Sequence, residues 1–229
     1  MTAGVYETMS GRLKTLVLLV AALLASYANA FAADNKLEAI GAYVDSGASD
    51  TLKKALETKG WRISTADGPY CDIWLRAAVP AGKSDAPGAV YTSLAESTLI
   101  GVITFAKQTT DFRGQPVKPG SYTMRYVVHP ADGNHLGISP IRDFLVMLPV
   151  AMDPNPDASF KFEELTKMST KVTGTNHPGV LSLTQPASSA AAPKVETGDS
   201  NHVIFSASIK NPSGATAPIS FIVKGHAEQ

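Results

Sequence analysis

The chain of 229 residues holds a single cysteine, Cys71, so neither an internal disulfide nor a thiolate zinc cluster can support its fold. It lacks an excess of either charge. Its 20 Lys and Arg balance 20 Asp and Glu, which removes the drive of a protein that binds nucleic acid by neutralising phosphates. No apolar run reaches the roughly 20 residues of a bilayer span, and no internal repeat marks a propeller or solenoid. Catalytic signatures are missing as well: there is no Gly-x-Ser-x-Gly elbow, glycine-rich phosphate loop, His-Glu-x-x-His or Cys-x-x-Cys-His. With 44% hydrophobic and 17% charged residues, the composition excludes a disordered chain, a coiled coil and a collagen-like repeat. What remains is a globular chain able to bury about 70% of its unfolded surface around one core.

The strongest positive signal is N-terminal. Arg12 and Lys14 form a basic start, Leu16 to Ala25 run apolar, and Ala28-Asn29-Ala30 supplies the small-x-small pattern of a signal-peptidase site. Residues 1–33 are therefore expected to be a signal peptide, cut after Ala30 or after Ala32. The apolar core of ten residues is short for a membrane anchor. No cysteine follows it, which disfavours a lipoprotein, and no twin arginine precedes it. Met9 is an alternative start. The expectation is a periplasmic or secreted protein with no stable membrane span after cleavage.

Residues 34–229 are expected to form one domain. Ser49-Asp50 can cap a short helix with Leu52, Ala55 and Leu56 on one side and Gly60 beyond its end. Strands are expected at 37–44, 61–64, 71–79, 99–105, 121–128, 144–148, 180–183, 202–209 and 219–223, with one or two helical turns at 163–168. Pro186 to Pro193 reads as an exposed loop. This pattern predicts a mainly β chain folded as a single β-sandwich, immunoglobulin-like or jelly-roll-like, with one early α-helix. A division near Asp153-Pro154-Asn155-Pro156 is disfavoured, because the piece beyond it has few strands and no disulfide or metal to support it. Alternation places Cys71, Ile73 and Leu75 on a core face, and Tyr122, Met124 and Tyr126 likewise. It puts Arg125 and His129 on an opposite, more open face.

Polar residues concentrate between His129 and Asp143. The run gathers His129, Asp132, Asn134, His135, Arg142 and Asp143, with Gly133 and Gly137 letting the backbone turn. These residues, with His129, Asp132, His135, Arg142 and Asp143 foremost, are the candidate ligand-binding set. His129, His135, Asp143 and the more distant His177 offer nitrogen and oxygen donors for a divalent metal, although His129-x5-His135 matches no established zinc spacing. The alternative is a structural loop in which Arg142 pairs with a carboxylate and the imidazoles bond to backbone. Asp111-Phe112-Arg113-Gly114-Gln115 is a second polar cluster, able to hold an anion through Arg113 or to form a solvated turn with a surface ion pair.

Gln115-Pro116-Val117-Lys118-Pro119-Gly120-Ser121-Tyr122-Thr123 resembles a turn-plus-strand element of many exported bacterial β-sandwich domains. The run from Asp111 to Asp153, under a quarter of the chain, resembles an uncharacterised exported bacterial β-sandwich family of unknown function. The resemblance implies export and a sandwich fold, and assigns no residue a role. Three functions are carried forward. The first is a non-catalytic exported protein binding a small molecule or an envelope partner, and the second is a metal-dependent enzyme, such as a hydrolase, using the 129–143 loop. The third is a structural subunit of an envelope assembly. The catalytic residues of any enzyme reading are left unassigned.

Overall fold

The computed structural model describes residues 35–130, 139–189 and 192–227. The expected signal peptide, and Asp132, Gly133, Asn134, His135 and Gly137, lie outside the described residues. The fold is mainly β, with 40% strand and 13% helix. In chain order the strands begin with β1 (Lys36–Ile40), β2 (Gly60–Thr65), β3 (Gly68–Leu75) and β4 (Leu99–Phe105). A two-residue ladder follows, β5 (Thr109–Thr110) with β6 (Pro116–Val117), and then β7 (Gly120–Val128), β8 (Asp143–Pro149) and β9 (Val180–Ser182). The last three are β10 (Lys194–Thr197), β11 (Val203–Lys210) and β12 (Thr216–Lys224). Antiparallel pairing in the order β1-β2-β3-β4-β7-β8-β9 builds a seven-stranded sheet, and β10-β11-β12 form a second sheet of three.

One face of the large sheet meets the small sheet. Cys71, Ile73 and Leu75 from β3 and Tyr122, Met124 and Tyr126 from β7 share a hydrophobic cluster with Phe205 from β11 and Phe221 from β12. Alternation alone had placed the first six there. The sheets also touch at both margins. Leu183 bridges Phe221 beyond the end of β9, and Asn35, just before β1, donates its side-chain amide to Thr197 Oγ1 of β10 at 2.9 Å.

The other face of the large sheet is covered too. Helix α1 (Asp50–Ala55) contributes Leu52 to a cluster with Tyr43, Trp74, Leu99 and Val102. Helix α2 (Phe162–Thr173) lays Leu165 over Val127, Phe144, Val146 and Val180. Two covered faces explain why Leu99–Phe105 and Phe144–Leu148 are continuous apolar runs rather than alternating ones. They also correct the expectation for Arg125, which lies on no open face and has 0% exposure. Strand alternation decides which face a residue takes, but whether that face is covered depends on distant chain segments.

Helix α2 is twice the length expected. Its second half, Ser169-Thr170-Lys171-Val172-Thr173, is poor in helix formers. Tertiary contacts hold it there. Ser169 is buried and donates its hydroxyl to Met147 O at 2.7 Å while accepting from Gly179 N at 2.9 Å. Gly174 then ends the helix at φ 69°, in the left-handed region that favours glycine.

Cys71 is 3% exposed, and burial pushes its thiol well above the usual range. A thiol that is neutral and covered is a poor nucleophile. Cys71 is expected to resist a maleimide or disulfide reagent in the native protein and to react once denaturant unfolds it. Rapid labelling without unfolding would contradict this packing.

Candidate functional site

The stem of the 129–143 loop is built for structure. Asp143 opens β8 with 0% exposure, and its carboxylate accepts from Val90 N at 3.0 Å, Tyr91 N at 3.0 Å and the Tyr126 hydroxyl at 2.7 Å. Burial raises the Tyr126 phenol, and its bond to Asp143 raises it further. Tyr91 extends the network by donating to Thr184 O at 2.9 Å and accepting from Ser220 N at 3.1 Å. Asp143 thus pins the segment around Val90 and Tyr91 across the core. Among the described residues Arg142 meets no carboxylate. It donates to two carbonyls, Pro87 O and His129 O, and so ties the same segment to the end of β7.

Of the other predicted residues, His129 and His177 are described. His129 is half-buried, with its ring 5.4 Å from that of Phe144 and Nδ1 3.1 Å from Pro130 O. His177 is exposed on the turn after α2. Among the described residues no three His, Cys, Asp or Glu side chains gather as metal ligands. Asp132 and His135 lie outside those residues, so the metal set is placed only at His129, His177 and Asp143.

The Asp111 cluster is likewise organised from within, and not as a surface ion pair. Asp111 is 0% exposed and accepts from Arg113 N at 3.0 Å, Gln115 N at 2.8 Å and Val180 N at 3.2 Å. Burial nonetheless pushes its carboxyl above the usual range. Arg113 stands with His129 beside a slot of about 60 Å³ lined by Val127, Phe144, Val146 and Phe162.

A larger cleft, about 440 Å³, opens where the β2–β3 turn, the β4–β5 connection and the end of β12 meet. Tyr70 is half-buried there, and its hydroxyl lies 2.5 Å from Thr109 Oγ1. Lys224 Nζ sits 3.4 Å from Asp67 Oδ2 and 5.4 Å from the centre of the Tyr70 ring. Lys107 and Gln108 are exposed on the rim, and Lys107 makes no ion pair among the described residues. The residues come from three separate stretches, each an ordinary turn or strand end in sequence.

No family model, curated protein or solved structure matches this chain. The chemistry of the cleft therefore stands on its own residues. Hydroxyls and an amide supply donors and acceptors, Tyr70 supplies an apolar surface, and two lysines outnumber one aspartate.

Burial pushes the Tyr70 phenol up to about 12 from its ordinary 10.0. An acid raised in the folded state favours folding while neutral, so this stabilisation is complete below pH 10 and is lost as pH climbs through about 12. Near-ultraviolet titration of the native protein is expected to show Tyr70 ionising late, with stability falling from pH 10 upward. Ionisation of Tyr70 at an ordinary pH, with no loss of stability, would contradict its burial.

Proposed function

We propose that this protein is an exported, non-catalytic β-sandwich that binds a small polar ligand. In this reading, cleavage of residues 1–33 releases it into the periplasm or beyond, and the seven- and three-stranded sheets are the two leaves of the sandwich. One observation carries the binding function. Asp143, Arg142 and Asp111 are engaged in bonds that hold chain segments together, whereas the 440 Å³ cleft gathers solvent-exposed polar side chains, Asp67, Lys107, Gln108 and Thr110, at the end of both sheets. Ligand pockets commonly fall near 300–1,000 Å³ and occupy the mouths of β-structures. The ionisable groups lining it, Asp67, Lys107 and Lys224 beside Tyr70, form no nucleophile with an adjacent base, which supports binding over chemistry.

A ligand that binds only the folded state raises stability by about 2.7 kcal/mol at 100 times its dissociation constant, which moves the melting point by roughly 5–10 °C for a chain of this size. The experiment is a thermal-shift screen of sugars, sugar acids, amino acids and nucleosides on the purified protein and on Thr110→Trp, which fills the cleft from an exposed position. At least one compound class is expected to stabilise the wild type and not the variant. A screen without such a compound, or equal shifts in both proteins, would overturn the reading. Mass spectrometry of the exported chain should show a start at Phe31 or Ala33, and an intact Met1 or Met9 would overturn the export part.

A further inference from the structure

The charges and surfaces around the cleft restrict its ligand more than its volume does. Lys224 is already opposed by Asp67 at 3.4 Å, which leaves Lys107 as the lining cation with no ion pair among the described residues. One positive charge calls for one negative charge on the ligand. Among the described residues the lining holds no arginine, whose planar fork suits a phosphate, and the ammonium of Lys107 is a point charge that suits a single carboxylate. Around it Thr65, Thr109, Thr110 and Gln108 offer side chains that both donate and accept, as do the hydroxyls of a polyol. Tyr70 gives a ring for the C–H face of a sugar to cover, and its own hydroxyl is bonded to Thr109.

We infer that the cleft binds a sugar acid, with the ligand carboxylate at Lys107 and the ring hydroxyls among Asp67, Gln108 and the threonines. This rests on the binding function proposed above and adds the ligand class. Lys107 is exposed, so its contribution is moderate and sensitive to salt.

Isothermal titration of the purified protein with glucuronate, glucose, acetate and glucose 6-phosphate tests the assignment. Glucuronate is expected to bind more tightly than the other three and to weaken as salt rises. Lys107→Ala is expected to lower glucuronate affinity about fivefold, with Lys107→Arg restoring most of it. Glucose binding as tightly as glucuronate would overturn the charge requirement, and acetate doing so would overturn the sugar requirement. Glucose 6-phosphate binding more tightly would overturn the preference for a carboxylate. Glucuronate affinity unchanged in Lys107→Ala would overturn the placement. A compound of another class that stabilises the wild type but not Thr110→Trp would overturn the sugar-acid assignment while leaving the cleft as a binding site.

Discussion

Replacing Asp153 by alanine is expected to lower folding stability by about 3–5 kcal/mol, because it strands a buried guanidinium. Arg125 and Asp153 are each 0% exposed and meet through two bonds of 2.7 Å, Nε to Oδ2 and Nη2 to Oδ1. The Thr123 hydroxyl donates to the same carboxylate at 2.6 Å. Arg125 spends its remaining N–H groups on Ser97 O at 2.5 Å, Ala158 O at 2.8 Å and Asn155 O at 2.9 Å. The pair thus closes the 153–158 segment over β7, with Arg76 gripping Pro156 O and Asp157 from a neighbouring position. A typical domain has only about 5–15 kcal/mol in total, so denaturant unfolding should show a large fall in midpoint. Arg125→Met with Asp153→Leu removes both charges and is expected to be less damaging than either single change. An Asp153→Ala protein within about 1 kcal/mol of wild type would show that the pair is not buried as described.

Asp143→Ala is expected to be nearly as costly. It leaves Val90 N, Tyr91 N and the Tyr126 hydroxyl without their acceptor inside the core, at about 1–3 kcal/mol for each group that stays unsatisfied. The loss should be local first. Amide exchange at Val90 and Tyr91 should accelerate before global unfolding, because Asp143 is what holds their segment. His129→Ala, at a half-buried position facing Phe144, should cost much less. Equal effects of the two changes, with Val90 and Tyr91 still protected, would contradict the assignment of Asp143 to structure.

These two carboxylates show how far sequence reading reaches. Alternation placed Cys71, Ile73, Tyr122, Met124 and Tyr126 on the inner face correctly, since a strand converts a period of two into two faces. It could not reveal that Arg125 faces a covered side, because its partner Asp153 lies 28 residues away and its cover comes from 155–160. The unbroken apolar run Phe144–Leu148 was the available cue that both faces were buried. Asp143 was noticed for its place in a polar stretch, but its partners Val90, Tyr91 and Tyr126 use backbone and phenol groups that carry no motif. Half of α2 was hidden by its serine, threonines and valine, which fold as helix only against Met147 and Gly179. The cleft was the least legible feature. Tyr70, Lys107 and Lys224 are brought together by sheet topology, and topology is not encoded in any one stretch.

Binding at the end of the two sheets, and not at the 129–143 stem, is what the proposed function requires. Mapping amide and side-chain resonance shifts during a glucuronate titration of the purified protein tests it most directly. Shifts are expected to centre on Asp67, Tyr70, Lys107, Thr109 and Lys224, around the 440 Å³ cleft. Shifts centred instead on His129, Arg142 and Phe144, with the cleft residues unmoved, would contradict it.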